Sequence, residues 1–78
     1  MAKTDNGDPY ENLANAIVLS AVADYRKALK RLSKNPGSDN AKAEVEAQER
    51  FFRSRWYSVL TSVDGEYLIR KLRSEYSL

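Results

Sequence analysis

Asn35-Pro36-Gly37-Ser38-Asp39-Asn40 divides a chain that otherwise reads as helix nearly throughout. Proline stops whatever helix precedes it, because its ring blocks the next turn and it has no N–H to donate. Upstream, Asp8-Pro9-Tyr10-Glu11 carries an N-cap residue, a proline at the first helical position and a glutamate at the third. A long first helix is therefore expected over about 9–34. Its main apolar stripe is Ala14, Val18, Val22, Tyr25, Leu29 and Leu32, at spacings of three and four. Leu13, Ile17 and Ala21 form a second strip beside it, so the N-terminal half is apolar over more than one face. Arg26, Lys27, Lys30, Arg31 and Lys34 surround the stripe further on, where cations suit the negative end of the helix dipole.

Downstream of the breaker, Ser38, Asp39 and Asn40 are all suitable caps, and the sequence does not choose among them. A second helix is expected over about 40–61, and its stripe is Val45, Gln48, Phe52, Trp56 or Arg55, Val59 and Val63. A short connection between two long helices predicts an antiparallel hairpin. Matching the stripes gives pairs whose numbers sum to about 77: Leu32 with Val45, Tyr25 with Phe52, Val22 with Trp56, and Val18 with Val59. Glu44, Glu46 and Glu49 then fall beside the cations that end the first helix. A shorter third helix is expected over about 64–76, with Leu68, Ile69, Leu72 and Tyr76 on one face. The expected fold is thus all-α: a helical hairpin plus a third helix in one small domain over 9–78, preceded by a flexible tail at 1–8.

Chemistry is limited by what is missing. The 78 residues include no Cys and no His. That excludes disulfides, thiolate zinc sites, a cysteine nucleophile and the commonest general base. Asp24, Asp64 and Glu66 form no evident catalytic pair, and Asp64-Gly65-Glu66 is too short for a calcium loop. The three glycines are too dispersed to cradle a phosphate. The chain reads as a non-enzyme with no metal and no cofactor. Thirteen Lys and Arg against eleven Asp and Glu leave a formal charge of only +2, a mild excess for a nucleic-acid binder. The polar N-terminus lacks a signal peptide's apolar core, and the stretch 14–23 is too short to span a bilayer. A cytoplasmic protein is the expectation.

The segment Arg50-Phe51-Phe52-Arg53-Ser54-Arg55-Trp56-Tyr57 is the richest in recognition chemistry. Phe52 and Trp56, four apart, read as core, while Phe51, Arg53, Arg55 and Tyr57 fall off the stripe. Exposed aromatics clustered with arginine mark binding surfaces. The expected surface combines Arg53, Arg55 and Tyr57 with Arg70, Lys71 and Arg73. Leu13, Ile17 and Ala21, left over once the hairpin forms, are the expected oligomer interface. A helix-turn-helix reading fails, because Lys71 falls where a recognition helix needs a buried apolar residue. The motif Tyr25-Arg26-Lys27-Ala28-Leu29 with Asn35-Pro36 echoes a tetratricopeptide unit, but occurs once only.

The stretches Tyr10-Glu11-Asn12-Leu13-Ala14-Asn15-Ala16-Ile17-Val18-Leu19, Phe51-Phe52-Arg53-Ser54, Trp56-Tyr57, Leu60-Thr61 and Asp64-Gly65-Glu66-Tyr67-Leu68-Ile69-Arg70-Lys71-Leu72 carry a resemblance. They resemble short uncharacterised all-helical proteins of phages and integrative elements of Gram-positive gut bacteria. The resemblance covers nearly all of the chain after Pro9 and implies context, with no catalytic role to carry over. It implies a mobile-element binding protein, in its most concrete form an inhibitor of a host defence that occupies a protein or ribonucleoprotein target. The alternatives are an oligomeric sponge for a nucleotide signal and a nonspecific nucleic-acid binder.

Overall fold

The structure is a computed structural model, and residues 9–78 are described. The expected tail at 1–8, with the Asp8 cap, lies outside the described residues. Four helices follow in chain order: α1 Pro9–Lys34, α2 Asp39–Phe52, α3 Arg55–Leu60 and α4 Gly65–Ser74. The described residues contain no strand, and the fold is all-α.

Pro36 and Gly37 make the turn after α1, and Ser38 is the cap among the three candidates. Its hydroxyl accepts from the Ala41 N–H at 3.1 Å. The contacts of α2 with α1 run in opposite chain directions. Tyr25 meets Phe52 edge-on, with ring centroids 5.3 Å apart, and Arg31 pairs with Glu44 nearer the turn. The Arg31 and Glu44 side chains are both about half exposed, so that pair adds little stability.

The single long second helix expected over about 40–61 is corrected by a break at Arg53 and Ser54. Ser54 adopts an extended backbone (φ −80°, ψ 157°) and caps α3 by accepting from the Tyr57 N–H at 3.1 Å. Its hydroxyl also donates to the Phe51 carbonyl at 2.6 Å, closing α2 behind it. The break changes the helical phase. In one continuous helix Phe52 and Trp56 would share a face, whereas Phe52 and Tyr57, five apart, would diverge. With the bend, Tyr57 turns inward and Trp56 outward. Tyr57 is 2% exposed and its ring centroid lies 5.6 Å from that of Phe52, while Trp56 is 57% exposed. Two readings are therefore corrected: Trp56 is not core, and Tyr57 is not surface. The expected partnership of Val18 with Val59 fails for the same reason, since Val59 is 77% exposed.

The core joins Tyr25, Ala28 and Leu29 of α1, Val45 and Phe52 of α2, Tyr57 of α3, and Ile69 and Leu72 of α4. Asp64 caps α4 by accepting from the Glu66 N–H at 3.0 Å. Gly65, the first residue of α4, sits directly against the Phe52 carbonyl, so α4 begins tight on the bend. The molecule measures 49 × 24 × 19 Å. The long dimension follows α1, whose 26 residues extend about 39 Å.

Candidate binding surface

The six residues expected to form a basic aromatic surface separate into three groups. Arg53 and Arg73 are taken up by carboxylates. The Arg53 guanidinium donates to Glu66 through Nε and Nη2, at 2.6 and 3.3 Å, and lies 3.6 Å from Glu49 Oε1. Arg73 Nη1 donates to Glu49 Oε2 at 2.6 Å. Tyr57 is buried in the core. Arg55, Arg70 and Lys71 are exposed and form no ion pair among the described residues.

Glu49 organises the first group. It projects from α2, with a side chain only 12% exposed, toward both α1 and α4. The Tyr25 hydroxyl donates to Glu49 Oε2 at 2.6 Å, and Arg73 donates to the same oxygen. One carboxylate thus ties three helices together and gives the Tyr25 hydroxyl and the Arg73 guanidinium a partner at the edge of the core. Burial raises the Tyr25 pKa, and the Glu49 carboxylate raises it further, so the phenol stays protonated and donating. The sequence reading missed this role, because it placed Glu49 among the glutamates facing the α1 cations. The available signal was position: Glu49 lies four residues after Val45 and three before Phe52, on the inner face.

Tyr57 has a different problem. Its hydroxyl is buried and has no hydrogen-bond partner among the described residues. Burial raises its pKa, with a smaller contribution from Asp64. The phenol is a neutral core ring, with no means of serving as a surface contact.

What remains outside is α3. Arg55, Trp56 and Val59 all lie away from Tyr57, on the solvent side of a helix six residues long. Trp56 rests edge-on against Phe51, with ring centroids 5.7 Å apart, which fixes one edge of the indole and leaves the other open. Beside α3, a shallow groove of about 420 Å³ runs toward α4, lined by the hydroxyl residues Ser54, Ser58, Thr61 and Ser62. Its charged rim is already self-paired through Arg53 and Glu66. Among the described residues, no group of three or more Asp or Glu is placed to hold a metal ion. No helix among the described residues is long and apolar enough to cross a membrane.

Leu13, Ile17 and Ala21 lie on the N-terminal half of α1. Leu13 is 60% exposed, while Ile17 and Ala21 are half-buried. Ala21 packs at the margin of the core.

The exposed ion pairs, screened by solvent, give the fold a small acid response. Hydrogen bonds from Arg53 hold the Glu66 carboxyl below the usual carboxylate range, and those from Arg26 do the same for Glu75. A depressed folded pKa contributes stability above the unfolded value, about 4.3 for glutamate. That contribution is lost as pH falls through the lower folded value. The melting midpoint is therefore expected to drop below roughly pH 4. Thermal melts of Glu66→Gln should show a shallower acid limb, and an acid limb identical to wild type would contradict the assignment.

No protein-family model matches the chain, and comparison with curated proteins and with solved structures gives no match. The functional reading therefore rests on the surface itself.

Proposed function

We propose that this chain is a non-enzymatic binding protein of a phage or mobile element. It acts in the cytoplasm by occupying a protein or ribonucleoprotein target, most concretely as an inhibitor of a host defence system. Its contact surface is the outer side of α3, with Arg55, Trp56 and Val59 at the centre. The protein works as a homo-oligomer joined through Leu13, Ile17 and Ala21.

The observation that supports this reading most is Trp56. It is the only tryptophan in the chain, and it is 57% exposed although the neighbouring Phe52 and Tyr57 are buried. Exposing an indole forfeits burial that the fold could use, and tryptophan and arginine are the residues that concentrate energy at interfaces. Arg55, unpaired among the described residues, supplies the polar arm of the same surface. The resemblance to mobile-element proteins supports the context. The nucleic-acid reading is weakened, because Arg53 and Arg73 are neutralised by Glu66 and Glu49.

A photoreactive side chain at position 59 tests the proposal in cells. Crosslinking is expected to capture one defined target. Trp56→Ala and Arg55→Glu should each abolish that crosslink without changing helicity. A crosslink that survives both substitutions places the target elsewhere. Native mass spectrometry of the purified protein separates the rivals: retained nucleotide or nucleic acid would contradict the proposal in favour of the sponge or the nucleic-acid binder.

A further inference from the structure

We infer that the N-terminal half of α1 forms an antiparallel two-fold dimer whose axis passes beside Ile17. The inference rests on the self-association proposed above and gives it an occupant and a register. Between Glu11 and Asp24, twelve consecutive residues carry no charge. The rest of α1 carries six charges in eleven residues, at Asp24, Arg26, Lys27, Lys30, Arg31 and Lys34. A helix that is apolar on more than one side is built to be covered. Within one copy, α1 packs against α2 and against α3, whose six residues extend only about 9 Å. Tyr10 and Leu13 stay 83% and 60% exposed.

A second copy is the occupant that fits this surface. An uncharged stretch offers no ion pair to a charged partner, but it is compatible with itself. Centring an antiparallel pair on Ile17 makes facing residue numbers sum to 34. Leu13 then lies opposite the partner's Ala21, Ala14 opposite the partner's Ser20, and Ile17 opposite its own copy. Leu13 meets a small residue on each side of the axis, and the two Ile17 side chains pack on one another at its centre. No like charges are opposed: Glu11 falls beside the partner's Ala23, and Asp24 beside the partner's Tyr10. Covering half of a helix about 22 Å long and 10–12 Å wide hides roughly 400 Å² per copy. About 800 Å² in the pair belongs to the weak, reversible class of interface. The dimer is therefore a weak and reversible one, to be read at high protein concentration.

The absence of native cysteine makes the register directly readable. Under mild oxidation at high micromolar concentration, Ile17→Cys should link to its own copy at least about five times faster than Leu13→Cys, because only a residue on the axis meets itself within disulfide reach. Leu13→Glu, at an exposed site, should give a folded monomer by light scattering and circular dichroism. Leu19→Glu, about 120° around the helix from Leu13, should leave the dimer intact. A wild-type protein strictly monomeric at high micromolar concentration would overturn the inference. Equal linking rates at positions 13 and 17 would overturn the antiparallel register. Loss of the dimer leaves crosslinking from position 59 as a separate readout, so failure here and failure of target binding are told apart.

Discussion

Phe52→Ala is expected to destabilise the protein by about 3–5 kcal/mol, the range for removing a fully buried aromatic ring. Phe52 is 2% exposed and its ring contacts those of Tyr25, Phe51 and Tyr57. It therefore holds α1, α2 and α3 together at one point. A chain of 78 residues has a total stability of roughly 4–12 kcal/mol. The substitution consumes a large part of that, and the variant should melt well below the wild type. Trp56→Ala, four residues later, should cost less than about 1 kcal/mol, because an exposed side chain loses little burial. Urea titrations followed by far-UV circular dichroism check both. Equal losses at the two positions would mean that the bend at Ser54 is absent and both rings are core.

Gly65→Ala is the second large effect, and its sign is diagnostic. Within a helix, alanine is favoured over glycine by up to about 1 kcal/mol, so propensity alone predicts stabilisation. Geometry predicts the reverse. A Cβ at Gly65 would overlap the Phe52 carbonyl oxygen, lie 3.0 Å from the carbonyl carbon and sit 3.5 Å from Tyr57 Cε2. The obstructing atoms are backbone and cannot rotate away. Either α4 shifts off the bend or the bend opens, and overpacking of this kind costs about 1–3 kcal/mol or more. Gly37→Ala is the control: its added Cβ would meet only Asn35 Oδ1, at 3.9 Å, and should be close to neutral. Thermal melts of both variants decide. A Gly65→Ala protein at least as stable as wild type would contradict the docking of α4 against Phe52.

The sequence made the helical class legible because Pro36, the caps and the spacing-three-and-four stripes all act locally. The pairing of Tyr25 with Phe52 was legible too, since matching stripes about a short turn sets a register. The bend was not. Phe51-Phe52 and Trp56-Tyr57 are adjacent aromatic pairs, so two helical phases satisfy the same pattern. Choosing between them depends on the Ser54 cap and on the space that only Gly65 leaves beside Phe52. The cap is local but is masked by an unbroken helical pattern, and the space beside Phe52 is a tertiary fact. For the candidate surface, the exposure of Arg55 was legible from its position off the stripe. The loss of Arg53 and Arg73 to carboxylates was not, because Glu49 and Glu66 reach them from other parts of the chain.

The central claim is that the bend turns the sole tryptophan outward and makes it the head of a binding surface. Intrinsic fluorescence reports on that side chain with no competing indole. Acrylamide quenching of the native protein, measured at low micromolar concentration, should approach that of the urea-denatured chain. Its emission maximum should shift little on unfolding. A native emission well to the blue of the denatured chain, with quenching strongly suppressed, would place Trp56 in the core and contradict the account.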